Sequence, residues 1–149
     1  MMLYSSTSDI ILKCFYEVYN RLGYGFLETV YKNALFQELT NNGLKCELEK
    51  GIHVFYKEYI VGEYYADIVV ENNIILELKT IEAIGPAQEA QLINYLKATG
   101  IELGFLLNFG PKAEFRRKIM TKPYVKDNRK DKDLGNDNDI DSKGPRHCN

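Results

Sequence analysis

Two segments of this chain that have the pattern of buried β-strands carry ionisable side chains within them. Asp67 precedes the apolar residues 68–70, and Glu77 and Lys79 follow the apolar residues 74–76. An ionised group in an apolar strand is costly unless a partner compensates its charge. Because side chains alternate along a strand, Glu77 and Lys79 share one face. The fold must therefore bring a compensating partner to these charges.

A metal ion is one such partner. Two carboxylates about 4 Å apart repel by roughly 4 kcal/mol at an effective dielectric of 20, and a divalent cation between them reverses the sign of that energy. Mg²⁺ prefers such hard oxygen ligands, keeps several waters and accepts phosphate oxygens. Two carboxylates and a lysine have the composition of a metal-dependent site that cleaves phosphodiesters. The simpler alternative is a Glu77–Lys79 salt bridge on a half-exposed sheet.

The loop that joins the two strands decides whether the carboxylates meet. A two-residue loop at 72–73 would place Asp67 opposite Leu78, on the other face from Glu77. An odd loop of residues 71–73, with an asparagine in the left-handed region, would place Asp67 opposite Glu77. A shared cation requires the odd loop.

Composition narrows the class of protein. The 149 residues, 45% of them hydrophobic and 27% charged, are ordinary for one soluble domain. The net charge of −2 means that any nucleic-acid binding must come from a local basic patch or a bound cation. The three cysteines form no ligand or disulfide pattern, which favours reduced thiols and a cytoplasmic protein. No apolar run reaches membrane-spanning length, so no membrane partner is expected.

Periodicity predicts the element order α-α-β-β-β-β-α-β. Two helices precede Leu44, where the apolar period changes to two. Pro86 and Gly100 delimit a third helix, and the apolar run 103–109 predicts a central strand. The segment 114–120 is ambiguous between strand and helix.

The chain divides into two parts by composition. Residues 1–122 are expected to form one domain. Residues 123–149 balance basic against acidic residues and contain few apolar ones, so we expect a disordered charged tail.

Polar side chains on two predicted helices add to the candidate site. Glu28 and Tyr31 lie three residues apart on one face of the second helix. Gln88, Gln91 and Tyr95 share a face of the third. The residues of the second helix have simpler explanations, because Glu28 suits a helix N-terminus and Tyr31 a core position.

The order and spacing of these residues resemble the GxxExxY family, a branch of the PD-(D/E)XK nuclease superfamily. The resemblance covers roughly residues 8–120. Ala66 stands where the superfamily name has a proline, a position that shapes the strand but carries no chemistry. The motifs that carry the resemblance are Gly25-x-x-Glu28-x-x-Tyr31, Asp67-x9-Glu77-x-Lys79 and Gln91-x-x-x-Tyr95.

The resemblance implies a restriction-endonuclease-like core, an α/β fold with a mixed four-stranded sheet flanked by helices. It also implies Mg²⁺ or Mn²⁺ as cofactor, held by Asp67, Glu77 and the main-chain carbonyl of Leu78, with Glu28 as a further metal or water ligand. Lys79 would position the attacking water or stabilise developing charge, since two neighbouring carboxylates keep it protonated.

Further candidates would contact the substrate. Gln91, expected in the catalytic set, and Tyr95 would hold water bound to the metal or a substrate phosphate, and Tyr31 and Gln88 are weaker candidates. A basic cluster around Arg116 and Arg117, together with Lys112, Lys118 and Lys122, is either a solvated face or a phosphate-contacting patch.

The prediction is a metal-dependent nuclease acting on nucleic acid, with DNA favoured over RNA. One alternative is a non-catalytic module that keeps the nuclease fold and binds nucleic acid or scaffolds a partner. Another is a small α/β domain with a structural ion pair. Whether the chain acts as a homodimer is left open, since many single-domain nucleases need two copies to cut both strands.

Overall fold

The computed structural model describes residues 4–120, which form one five-stranded sheet with helices on both sides. The predicted tail at 123–149 lies outside the described residues. No helix within residues 4–120 is both long and apolar enough to cross a membrane. The elements in chain order are α1 (Ser5–Leu22), α2 (Glu28–Asn41), β1 (Cys46–Tyr56), β2 (Tyr59–Val70), β3 (Ile74–Lys79), α3 (Pro86–Thr99), β4 (Leu103–Phe109) and β5 (Ala113–Ile119).

The mixed α/β architecture is confirmed, but the sheet has five strands where the family resemblance implies four, and the predicted order with four strands before α3 and one after it is wrong. Three strands precede α3 and two follow it. β1 and β2 stay paired from Cys46–Val70 to Tyr56–Tyr59, so the glycines within them do not end the strands. The ambiguous segment near 114–120 pairs with β4 as the edge strand β5.

The strands lie in the order β1-β2-β3-β4-β5. Among the strands of residues 4–120, only β3 and β4 are parallel to each other, and α3 connects them, as a parallel crossover requires. β4 is buried along its whole length, which confirms the central strand predicted from its apolar run. α3 ends at Gly100, which has φ 77° and serves as the expected C-cap.

The sheet separates two cores. On one side α1 and α2 pack against residues that include Leu76 and Phe105. On the other side α3 packs through Leu92 against Ile75 and Leu106. Alternation along β3 thus sends Ile75 to the α3 side and Leu76 to the α1–α2 side.

The loop between β2 and β3 has the odd length that a shared site requires. Val70 pairs with Ile74, which leaves residues 71–73 as the loop. Glu71 and Asn72 have φ values of 53° and 61°, in the left-handed region. The register prediction is therefore confirmed, with both residues in the left-handed conformation.

Candidate functional site

The carboxylates of Asp67 and Glu77 each accept a hydrogen bond from the backbone of the opposite strand. Asp67 Oδ2 accepts from the N–H of Leu78 at 2.8 Å, and Glu77 Oε2 accepts from the N–H of Asp67 at 3.1 Å. The backbone pairing of β2 with β3 ends at Ile68, the residue that follows Asp67 in the sequence. These crossed bonds fix one oxygen of each carboxylate and leave Asp67 Oδ1 and Glu77 Oε1 outside them.

Asp67 lies where the alternation of β2 is interrupted. Ala66 packs in the core on the α3 side, whereas Ile68 packs on the α1–α2 side. Two residues at that spacing normally share a face. Glu49 lies opposite Asp67 on β1, between two paired positions, and has φ 50°. The irregularity in both strands lets Asp67 contact β3 and α2 together.

Glu77 is a buried carboxylate whose negative charge is only partly balanced by its neighbours. It is 4% exposed. Burial first, and then the charge of Asp67, raise the pKa of Glu77 to about 8, while the bond from Asp67 N–H and the charge of Lys79 oppose this. Burial and then Asp67 also raise the pKa of Glu28. These carboxylates thus act on one another electrostatically, and a cation would relieve that repulsion.

The third helix supplies two of the predicted site residues. Lys79 Nζ donates to Gln91 Oε1 at 3.1 Å. Tyr95 is 6% exposed. Burial, followed by the charges of Glu77 and Asp67, raises the pKa of Tyr95 to about 12. The structure therefore brings the lysine, the glutamine and the tyrosine to the side of the carboxylates that faces α3.

Comparison with known proteins shows the family of this chain. The family model of the PD-(D/E)XK nuclease superfamily matches residues 5–118. The chain belongs to the PD-(D/E)XK nuclease superfamily. No curated protein matches it. A solved structure described as "Crystal structure of SSO0001" aligns over 95% of this chain and 89% of its own, with 16% identity and a TM-score of 0.40.

Two predicted substrate contacts of this nuclease-superfamily chain have local partners. The hydroxyl of Tyr31 donates to the carbonyl of Gly23 and accepts from the N–H of Phe26, at 3.2 Å in the second case. Its ring is buried and stacks on Phe109 with centroids 4.5 Å apart. Gln88 Oε1 instead accepts from the Gly85 N–H at 2.7 Å, which caps α3.

The predicted basic cluster lies on β5, where successive side chains point to opposite faces of the sheet. Arg116 forms ion pairs with Glu89 at 3.3 Å and with Glu114 at 3.2 Å. Lys118 pairs with Glu89 at 2.5 Å. Arg117 has two guanidinium nitrogens, Nε and Nη2, that are buried without a hydrogen-bond partner in the described part of the chain. Arg116 and Lys118 are thus neutralised by carboxylates, and Arg117 points to the other face of the strand. Lys122 lies outside the described residues.

Lys32 also lies beside the carboxylates, although the sequence motifs do not predict it. Its ammonium lies 2.7 Å from Glu49 Oε2 and 3.7 Å from Asp67 Oδ1. Lys32 follows Glu28 by four residues on α2. Residues four apart share a helix face, so this spacing was a signal that Lys32 lies near Glu28.

The donor set fits a divalent cation. Carboxylate and carbonyl oxygens are the ligands that Mg²⁺ and Mn²⁺ accept, and such ions keep several waters. Within residues 4–120 no group of three His, Cys, Asp or Glu side chains is arranged to hold an ion. Asp67 and Glu77, whose carboxylates are linked to each other's strand by hydrogen bonds, and the Leu78 carbonyl are the oxygen donors available to such an ion.

Proposed function

We propose that this protein is a divalent-metal-dependent nuclease that hydrolyses phosphodiester bonds, with DNA as the favoured substrate. The observation that carries the proposal is the crossed pair of carboxylate–backbone hydrogen bonds between Asp67 and the β3 residues Glu77 and Leu78. A fold retained for binding alone does not need two carboxylates held together at the cost of desolvation.

Each side chain has a defined part in this proposal. Asp67, Glu77 and the Leu78 carbonyl would hold the divalent cation, Mg²⁺ or Mn²⁺, and Glu28 would be a further ligand to the metal or to a water. When bound, the ion polarises the phosphoryl group as a Lewis acid. The Lys79 ammonium, held by Gln91, stabilises the charge that develops on the phosphate oxygens.

We propose that the chain belongs to the GxxExxY branch, and the conformation of the loop between α1 and α2 supports this proposal. Gly25 has φ 121°, a conformation that side chains rarely adopt. Tyr31 ties the loop together through its hydroxyl, and Glu28 lies close enough to Asp67 for the two charges to interact. A motif that orders this loop and brings an acid near the Asp67 carboxylate is consistent with that branch.

The test is cleavage of single- and double-stranded DNA and RNA by the full chain. We expect cleavage with Mg²⁺ or Mn²⁺ and none with EDTA. Asp67→Asn, Glu77→Gln and Lys79→Met should each lower the rate by about 100-fold or more. Glu63→Gln is the control, since this carboxylate is half-exposed and pairs with His53 on the β1–β2 hairpin.

Two outcomes would contradict the proposal. Retained cleavage in all three site variants would place the activity elsewhere or in a contaminant. Nucleic-acid binding that is indifferent to EDTA, with no turnover under any condition, would favour the non-catalytic module.

A further inference from the structure

Lys32 brings a second ammonium group to the carboxylates. Its side chain is 13% exposed and lies 3.7 Å from Asp67 Oδ1. Lys79, by contrast, is held by Gln91 of α3. Because α2 and α3 pack on opposite sides of the sheet, the two lysines approach the carboxylates from opposite sides.

Glu49 holds Lys32 in this place. The ammonium is 1.0 Å closer to Glu49 Oε2, at 2.7 Å, than to Asp67 Oδ1, at 3.7 Å. The Glu49 side chain is 62% exposed, so it contributes little to the core. Its backbone is in the left-handed region, with φ 50°, directly beside Asp67. Unusual backbone of this kind persists where the surroundings enforce it and is common at functional sites.

The ion pair between Lys32 and Glu49 would keep the ammonium in place if Asp67 bound a cation. Lys32 has three N–H donors and needs only one of them for Glu49. Its stronger contact is with Glu49, so the ammonium stays near Asp67 when that carboxylate engages a metal. A partly buried ammonium with unused donors beside a metal ligand is suited to a phosphate oxygen.

We propose that Lys32 binds a phosphate oxygen of the nucleic-acid strand being cut, and that Glu49 is the positioning residue for it. This inference rests on the proposed function and extends it, because it gives the substrate a second phosphate contact on the α2 side. The competing explanation is that Lys32 only neutralises Asp67.

The experiment compares Lys32→Met, Lys32→Arg and Glu49→Gln with the wild-type chain. Lys13→Met is the matched control, because Lys13 is exposed on α1 and its loss changes the net charge equally. The readouts are KM, kcat and the affinity for a short oligonucleotide with Mn²⁺ present, each over a range of KCl concentrations. Thermal unfolding establishes that each variant is folded.

We expect Lys32→Met to raise KM by about 10-fold and to lessen the slope of log affinity against log salt by about 0.7–0.9, as the loss of one phosphate contact should. Lys32→Arg should keep the slope. Glu49→Gln should raise KM less, since the ammonium remains but loses its tether. Affinity for Mn²⁺ alone should not fall in Lys32→Met.

Other results would overturn the inference while leaving the proposed function intact. Equal KM values and salt slopes for Lys32→Met and Lys13→Met, with cleavage preserved, would mean that Lys32 only balances charge. If the wild-type chain cleaves nothing, the proposed function fails, and the oligonucleotide salt slopes still decide whether Lys32 contacts phosphate.

Discussion

The side-chain amide of Asn108 makes two hydrogen bonds with the backbone of Ile81. Its Nδ2 donates to the Ile81 carbonyl and its Oδ1 accepts from the Ile81 N–H, each at 2.9 Å. Asn108 is fully buried near the end of β4 and lies opposite Lys79 in the parallel β3–β4 pairing. The chain that leaves Lys79 is thus held against β4, which fixes its path toward α3.

Removing this amide should destabilise the fold. In Asn108→Leu two backbone groups of Ile81 lose their partners, at about 1–3 kcal/mol each. We expect the free energy of unfolding in urea to fall by at least about 2 kcal/mol. Asn42→Ala is the control, because the Asn42 amide makes an exposed bond to Glu38 and should cost under about 1 kcal/mol. Similar losses for both variants would contradict the prediction.

Gly110 should not tolerate a side chain. A Cβ atom at Gly110 would lie 2.1 Å from the carbonyl oxygen of Ile81, a backbone atom that cannot move aside cheaply. Gly110→Ala should therefore cost roughly 1–3 kcal/mol or more, as overpacking does. At Gly51 the added Cβ would meet the Tyr65 ring at 3.7 Å, an ordinary contact. Urea unfolding should show no comparable loss for Gly51→Ala.

Tyr31 connects the α1–α2 loop to the core, and its hydroxyl can be tested separately from its ring. Tyr31→Phe keeps the stacking on Phe109 but leaves the Gly23 carbonyl and the Phe26 N–H without this partner. We expect a stability loss of about 1–2 kcal/mol and faster amide hydrogen exchange in residues 23–28. Tyr19→Phe, which loses the bond to the Gly110 carbonyl, is the control and should leave exchange in that loop unchanged.

The geometry of the site was predictable where it follows from strand period and loop length. The requirement that Asp67 and Glu77 meet predicted the loop 71–73, and the structure has it. Helical spacing predicted that Gln91 and Tyr95 share a face. Gln91 accepts a hydrogen bond from Lys79, and Tyr95 lies near enough to Glu77 and Asp67 for their charges to raise its pKa. These relations are local, so sequence spacing alone determines them.

Long-range relations were not predictable in the same way. The left-handed backbone of Glu49 and the interrupted alternation at Asp67 have no glycine or proline to signal them. The ion pair between Lys32 and Glu49 joins residues 17 positions apart on different elements. Arg116 was one member of the predicted basic cluster. Its partner Glu89 lies on α3, and the two meet because the fold packs α3 near β5.

The buried Glu77 should make stability depend on pH. Burial and Asp67 raise its pKa from 4.5 to about 8, so between these values the native state holds a proton that the unfolded chain has released. Stability therefore falls as the pH rises from about 4.5 to about 8, because only the unfolded chain's Glu77 ionises in this window. In EDTA, Glu77→Gln should gain stability relative to wild type by up to roughly 1.4 kcal/mol per pH unit. A pH-independent difference in urea unfolding would contradict this.

Binding of a divalent cation should release a proton at neutral pH. A cation takes the ionised form of Glu77, whose pKa of about 8 leaves most of it protonated near pH 7. Titration calorimetry with Mn²⁺ in two buffers of different ionisation enthalpy should show release approaching one proton near pH 7 and little above about pH 9. Affinity should rise up to about pH 8 and then level off. Asp67→Asn should abolish both the binding and the proton release, because one of the two carboxylate ligands is gone. Tight binding without proton release at neutral pH would mean that the ion sits elsewhere and leaves Glu77 protonated.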